Sequence, residues 1–78
     1  MLSPSEVTSL LSKLCSELGF CLEREHGDRL RQEPPETATE FAHAVIEAEG
    51  LSAELLDRQL YRQVLTVIEQ AFARNGSA

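Results

Sequence analysis

Glu36, Glu40, His43 and Glu47 follow one another at spacings of four, three and four, which on a helix gathers three carboxylates and one imidazole into a single stripe. Such groups can meet a cationic surface or hold a metal. The stripe runs opposite Phe41 and Val45, which face inward. Ile46 lies off that inward face, between the stripe and Ala42, and is expected to serve as an exposed apolar anchor. The first reading is therefore a docking face for a basic protein or peptide surface, built from Glu36, Glu40, His43, Ile46 and Glu47. The plainer reading is a solvated face, since charge runs commonly serve solubility alone.

Metal ligation is the competing chemistry. Glu23-x-x-His26 and Glu40-x-x-His43 both show the acid and imidazole spacing that di-iron carboxylate bundles use twice, with every ligand pointing into the bundle core. Here His43 points away from its helix's inward face and Gly27 follows His26 directly, so no metal or other cofactor is expected. Cys15, Cys21, His26 and His43 are suitable zinc ligand types, but spacings of six, five and seventeen lack the close pairs of structural zinc motifs. Two cysteines do not make a secreted disulfide framework and are expected to be reduced, Cys15 as a small core residue and Cys21 as a partly buried one. Enzymatic arrangements are missing: there is no Gly-x-Ser-x-Gly elbow, no glycine-rich phosphate loop, and no third group to orient a Cys and His pair. A non-catalytic protein is expected.

The elements that must position the stripe are all helical. Ser3-Pro4-Ser5-Glu6 opens a first helix with a capping box and Pro at its first position. Val7, Leu10, Leu11, Leu14 and Leu18 share one face, and Gly19 closes the helix at residues 4–18. From Phe20 to Thr37 the pattern is irregular, with Asp28 expected to cap a short turn near residues 28–32 that Pro34 and Pro35 stop. Thr37 and Glu40 form a second capping box for a helix over 37–49, whose inward face is Phe41, Ala44, Val45 and Ala48 and which Gly50 ends. A long helix then runs over 53–73 with Ser52 as N-cap. Leu60, Val64, Val67 and Ala71 make one apolar row in it, and Tyr61, Leu65, Ile68 and Phe72 a second, too wide for one neighbour. The glycines read as caps, turns or tail, and residues 75–78 as a frayed end.

The expected fold is all-α, a single domain over 1–78 forming a small three- to four-helix bundle with a long C-terminal helix flanked on two sides. At 78 residues a single core is only marginally sufficient, so a homodimer sharing part of the C-terminal helix's apolar face is the second functional expectation. Net charge is −6. Between Gln32 and Asp57 seven acids stand with no Lys or Arg among them, a balance that repels phosphate and favours a basic partner. A third expectation, a helix-turn-helix DNA regulator turning at Gly50, would present Glu54, Asp57, Arg58 and Arg62 to the groove. Its two leading acids make nucleic acid a poor partner. Without a basic N-terminal leader or an apolar run near the 20 residues of a membrane span, the chain is expected to be cytoplasmic.

Overall fold

Each reversal of this chain is set by a local terminator. A computed structural model describes residues 2–52 and 54–76 and places in them α1 (Pro4–Leu18), α2 (Arg24–Gln32), α3 (Ala38–Ala48) and α4 (Arg58–Gly76), with no strand among the described residues. The protein is all-α, and its C-terminal helix is the longest element.

α1 forms as its sequence expects. Ser3 Oγ accepts from Glu6 N at 3.2 Å and Glu6 Oε1 accepts from Ser3 N at 3.0 Å, so two otherwise orphaned amides are satisfied reciprocally. Val7, Leu10 and Leu14 are buried. Gly19 takes φ +79°, donating to Cys15 O at 3.1 Å while Phe20 N donates to Leu14 O at 3.2 Å. A left-handed backbone of this kind is open to glycine at no steric cost.

That left-handed turn brings Cys21 back over Cys15, and the two are joined in a disulfide with Cα atoms 4.3 Å apart. The expectation of two reduced thiols is thus corrected: six residues of separation look unpromising along a helix, but the reversal at Gly19 shortens the distance. Disulfides persist in oxidising compartments and are rare in the cytosol, so the pairing removes the thiol support for a cytoplasmic setting. What stands is that no helix among the described residues is long and apolar enough to cross a membrane.

α2 is longer than the sequence suggests, starting at Arg24 with Glu23 in extended backbone before it. Asp28 does not cap it but sits inside it, paired with Arg31. Gly27 weakens the helical pattern, yet it is buried in the middle of α2 against Leu11 of α1, so tertiary contact overrides propensity. This glycine is neither cap nor turn nor tail. Arg31 also donates to Thr8 Oγ1 at 3.4 Å, a second tie to α1.

α3 begins where Thr37 Oγ1 accepts from Glu40 N at 3.1 Å. Gly50, at φ +78°, closes it, with Leu51 N donating to Ile46 O at 3.1 Å. The long helix does not start at Ser52. Ser52 O accepts from Leu55 N and Leu56 N in an isolated turn, and the first α4 bond is Tyr61 N to Asp57 O at 2.9 Å. Ser52 and Asp57 are both favoured N-cap types, and the structure starts the helix after Asp57. The separation between Ala48, which ends α3, and Arg58, which starts α4, is then too long for the short turn of a helix-turn-helix. At the other end α4 continues through Asn75 and Gly76, where a frayed tail was expected; Ser77 and Ala78 lie outside the described residues.

α1 and α3 each pack against α4, and α2 packs against α1. Val64 and Ile68 are fully buried on α4, beside Ala71, with Leu60, Leu65, Val67 and Phe72 partly covered. Phe41 of α3 meets Phe72 edge to face at 6.2 Å between ring centres, a contact worth about 1 kcal/mol beyond its buried area.

The disulfide makes a first prediction. Closing so short a loop stabilises by about 2 kcal/mol, so reductant or the paired Cys15→Ser and Cys21→Ser changes should lower the urea midpoint by that equivalent. Reductant should have no further effect on the double variant. An unshifted wild-type midpoint would mean that the bridge contributes nothing.

Candidate functional site

The acidic stripe is positioned by α3. Its cap at Thr37 follows Pro34 and Pro35, which α2 cannot cross, so the helix phase is fixed one residue before Ala38. Its apolar arc, Phe41, Ala42, Val45 and Ile46, is buried. Glu36, Glu40, His43 and Glu47 are all exposed; Glu40, His43 and Glu47 are on the side of α3 away from that arc, and Glu36 stands one residue before its N-cap, outside the helix that was to carry it.

Within the stripe His43 has a partner that the sequence reading did not foresee. Its Nε2 lies 3.2 Å from the Tyr61 hydroxyl, with the rings edge to face at 5.9 Å. Tyr61 was placed in α4's apolar row; it is half-buried, and its hydroxyl end reaches the imidazole, as suits an amphipathic ring. Tyr61 and Phe72 stand about three turns apart on α4, so His43 and Phe41 hold α3 to α4 at two well-separated points. The carboxylates of Glu36, Glu40 and Glu47 take part in no ion pair among the described residues, unlike those of Glu17, paired with Lys13, and Asp28, paired with Arg31. One cation, Arg29, comes near the stripe at one margin, where a shallow cleft of about 250 Å³ between α2 and α3 is lined by His26, Arg29 and Glu47 together with Leu30, Ala44 and Ala48.

Ile46 does not belong to this surface. It is 0% exposed, and the expectation of an exposed anchor there is corrected. A narrow inward face of Phe41, Ala44, Val45 and Ala48 would have left Ile46 outside; instead the covered arc is turned toward Ala42 and Ile46, with Ala44 and Ala48 at its partly open edge. Glu49 is also withdrawn: it is half-buried, and its Oε1 is shut from solvent with no hydrogen-bond partner among the described residues. The acid block therefore contributes fewer surface charges than its composition implies.

The exposed large apolar side chains among the described residues are Leu51, 44% exposed, and Leu55, 88% exposed. Both lie in the connection between α3 and α4, a segment that the sequence assigned to the long helix and its joint. Two N-cap candidates five residues apart, Ser52 and Asp57, were the signal available for such a connection.

No constellation for metal emerges. Glu23 and His26 flank the first turn of α2, with His26 N donating to Glu23 O at 3.1 Å, whereas Glu40 and His43 lie on α3. Among the described residues no group of three His, Cys, Asp or Glu side chains is arranged to hold an ion, and both thiols of the mixed zinc set are used in the disulfide.

Burial separates the two apolar candidates experimentally. Ile46→Ala should destabilise the protein by about 3 kcal/mol, the usual cost of emptying a buried aliphatic site, and Leu55→Ala should stay within about 0.5 kcal/mol. Chemical denaturation of the two variants decides it; equal small effects would return Ile46 to the surface. The chain matches no known protein family, no curated protein and no solved structure.

Proposed function

We infer that this protein is a non-catalytic interaction module whose four helices form a small bundle and which meets a basic protein or peptide surface through Glu36, just before α3, and Glu40, His43 and Glu47 on it. The single observation that carries the reading is that Glu40, His43 and Glu47 are exposed on one side of α3, with Glu36 exposed just before its N-cap, and that none of the three carboxylates is in an ion pair among the described residues. Opposed cations would find the carboxylates open to contact. His43, held by Tyr61, supplies a fixed point in the middle of the stripe. Because exposed charges act over a Debye length of about 8 Å at physiological salt, such a face raises the encounter rate and selects the sign of the partner more than it supplies affinity.

The second reading, a homodimer through the apolar face of α4, draws on the marginal size of the core. Its difficulty is that the exposed large apolar side chains among the described residues are not on α4. Sedimentation at micromolar concentration tests it, and a single 8.7 kDa species removes it.

Charge reversal tests the leading reading. Glu40→Lys combined with Glu47→Lys should weaken binding of a lysine-rich probe peptide at least tenfold at low salt. Both residues are exposed, so the far-ultraviolet helical signal should be retained. Unchanged binding by the folded double variant refutes the acidic docking face.

A further inference from the structure

Leu51, Leu55 and Leu56 line one shallow cleft with Gly50 and Ser52, of about 380 Å³, in the connection between α3 and α4. A single exposed leucine needs no explanation. Here two are exposed together, Leu55 almost completely so, and a third, half-buried, sits beside them. The backbone of the segment is held by ordinary bonds, Leu51 N to Ile46 O and both Leu55 N and Leu56 N to Ser52 O. The leucines are thus presented by a tight knuckle.

The charges that flank them in the chain are acidic up to Arg58, the exposed first residue of α4. Glu47, one turn before Leu51 along the chain, is exposed, and so are Glu54 and Asp57. No Lys or Arg occurs between Gln32 and Asp57. A second copy of the chain is a poor occupant, because an isologous contact would set these acids against their own counterparts. An anionic lipid surface is repelled for the same reason. A peptide with apolar residues on one side and cations on the other satisfies both parts: leucines against the knuckle, and ammonium or guanidinium groups against the acids.

We propose that the Leu51, Leu55 and Leu56 knuckle is the apolar anchor of the docking surface, receiving the apolar side of a basic amphipathic helix whose cations meet Glu47, Glu54 and the α3 stripe. The proposal rests on the acidic-face reading above and replaces Ile46, which is buried, as the source of short-range hold. It also gives direction to the surface: the partner lies from the stripe toward the C-terminal end of α3, where Gly50 turns the chain out.

Two probe peptides separate the two claims. One is a helical peptide of lysines with leucines at spacings of three and four; the other carries glutamine in place of every leucine, with the same charge. The first should bind the wild-type protein about tenfold more tightly, the order expected for burying one to two leucine side chains. Leu51→Ser combined with Leu55→Ser should abolish that tenfold margin while leaving the polar peptide's affinity unchanged. Since Leu55 is largely exposed, Leu55→Ser alone, with an unshifted melting temperature, controls for folding and should remove most of the margin. Equal binding of the two peptides to wild type, or a margin that survives the leucine changes, overturns the knuckle and leaves the acidic face standing. Loss of neither peptide on Glu40→Lys with Glu47→Lys overturns the acidic face itself. A concentration-dependent dimer that Leu55→Ser dissolves assigns the knuckle to a second copy and also overturns the proposal.

Discussion

Burial of Val64 and Ile68 on α4, with α1 and α3 each packed against that helix, is the constraint from which the remaining placements follow. α3 must turn Phe41, Ala42, Val45 and Ile46 inward to take its part, and a helix that does so has its other side left for solvent. Glu40, His43 and Glu47 are on that other side by phase. The same docking requires the chain to leave α3, reverse and enter α4, and the reversal at Gly50 is where Leu51 and Leu55 come to be exposed. Packing thus determines where both the charged and the apolar parts of the surface lie, although neither part contributes much to stability.

α2 reaches that core through Leu30 alone among its side chains that are buried, and its packing is chiefly against α1. In so short a chain, extra ties matter more than they would in a larger one. Three are visible: the Cys15 to Cys21 bridge just before α2, the bond from Arg31 to Thr8, and the close seat of Gly27 against Leu11. Together they fix one face of α2 to one face of α1. Their joint effect on the candidate surface is indirect, since α2 forms the far wall of the cleft in which Arg29 and His26 approach Glu47.

Much of this was readable from local signals. Ser3 with Glu6, Gly19, Thr37 and Gly50 act through bonds to residues a turn away or less, so their effects are written in adjacent letters, and the ends of α1 match the expectation to the residue. The exposure of Glu40, His43 and Glu47 was legible for a similar reason, being a matter of phase once Phe41 and Val45 are assigned inward. The failures share a different cause. Ile46 is decided by how wide an arc of α3 its neighbours cover, which is a property of the packed chain and not of one helix. The disulfide depends on how sharply the chain folds back at Gly19, and Tyr61's bond to His43 spans eighteen residues. At Asp57 the sequence held two valid helix starts, and period alone could not separate them because Leu56 continues the apolar row of α4 in either case.

The division of labour on the proposed surface follows from range. Coulombic attraction to exposed carboxylates extends over several ångströms and is screened by salt, while apolar contact acts only where water is excluded. Carboxylates without leucines would gather basic chains and release them readily. Leucines without carboxylates would accept any apolar partner, including another copy. Set side by side, each supplies what the other lacks: the acids bias which chain arrives, and the leucines determine how long it stays. The burial of Ile46 sharpens this, because it confines the apolar part to one end of the stripe. A partner held at one end and attracted along the rest is bound in one direction only, so the polarity of the docked helix would be fixed by the position of the knuckle.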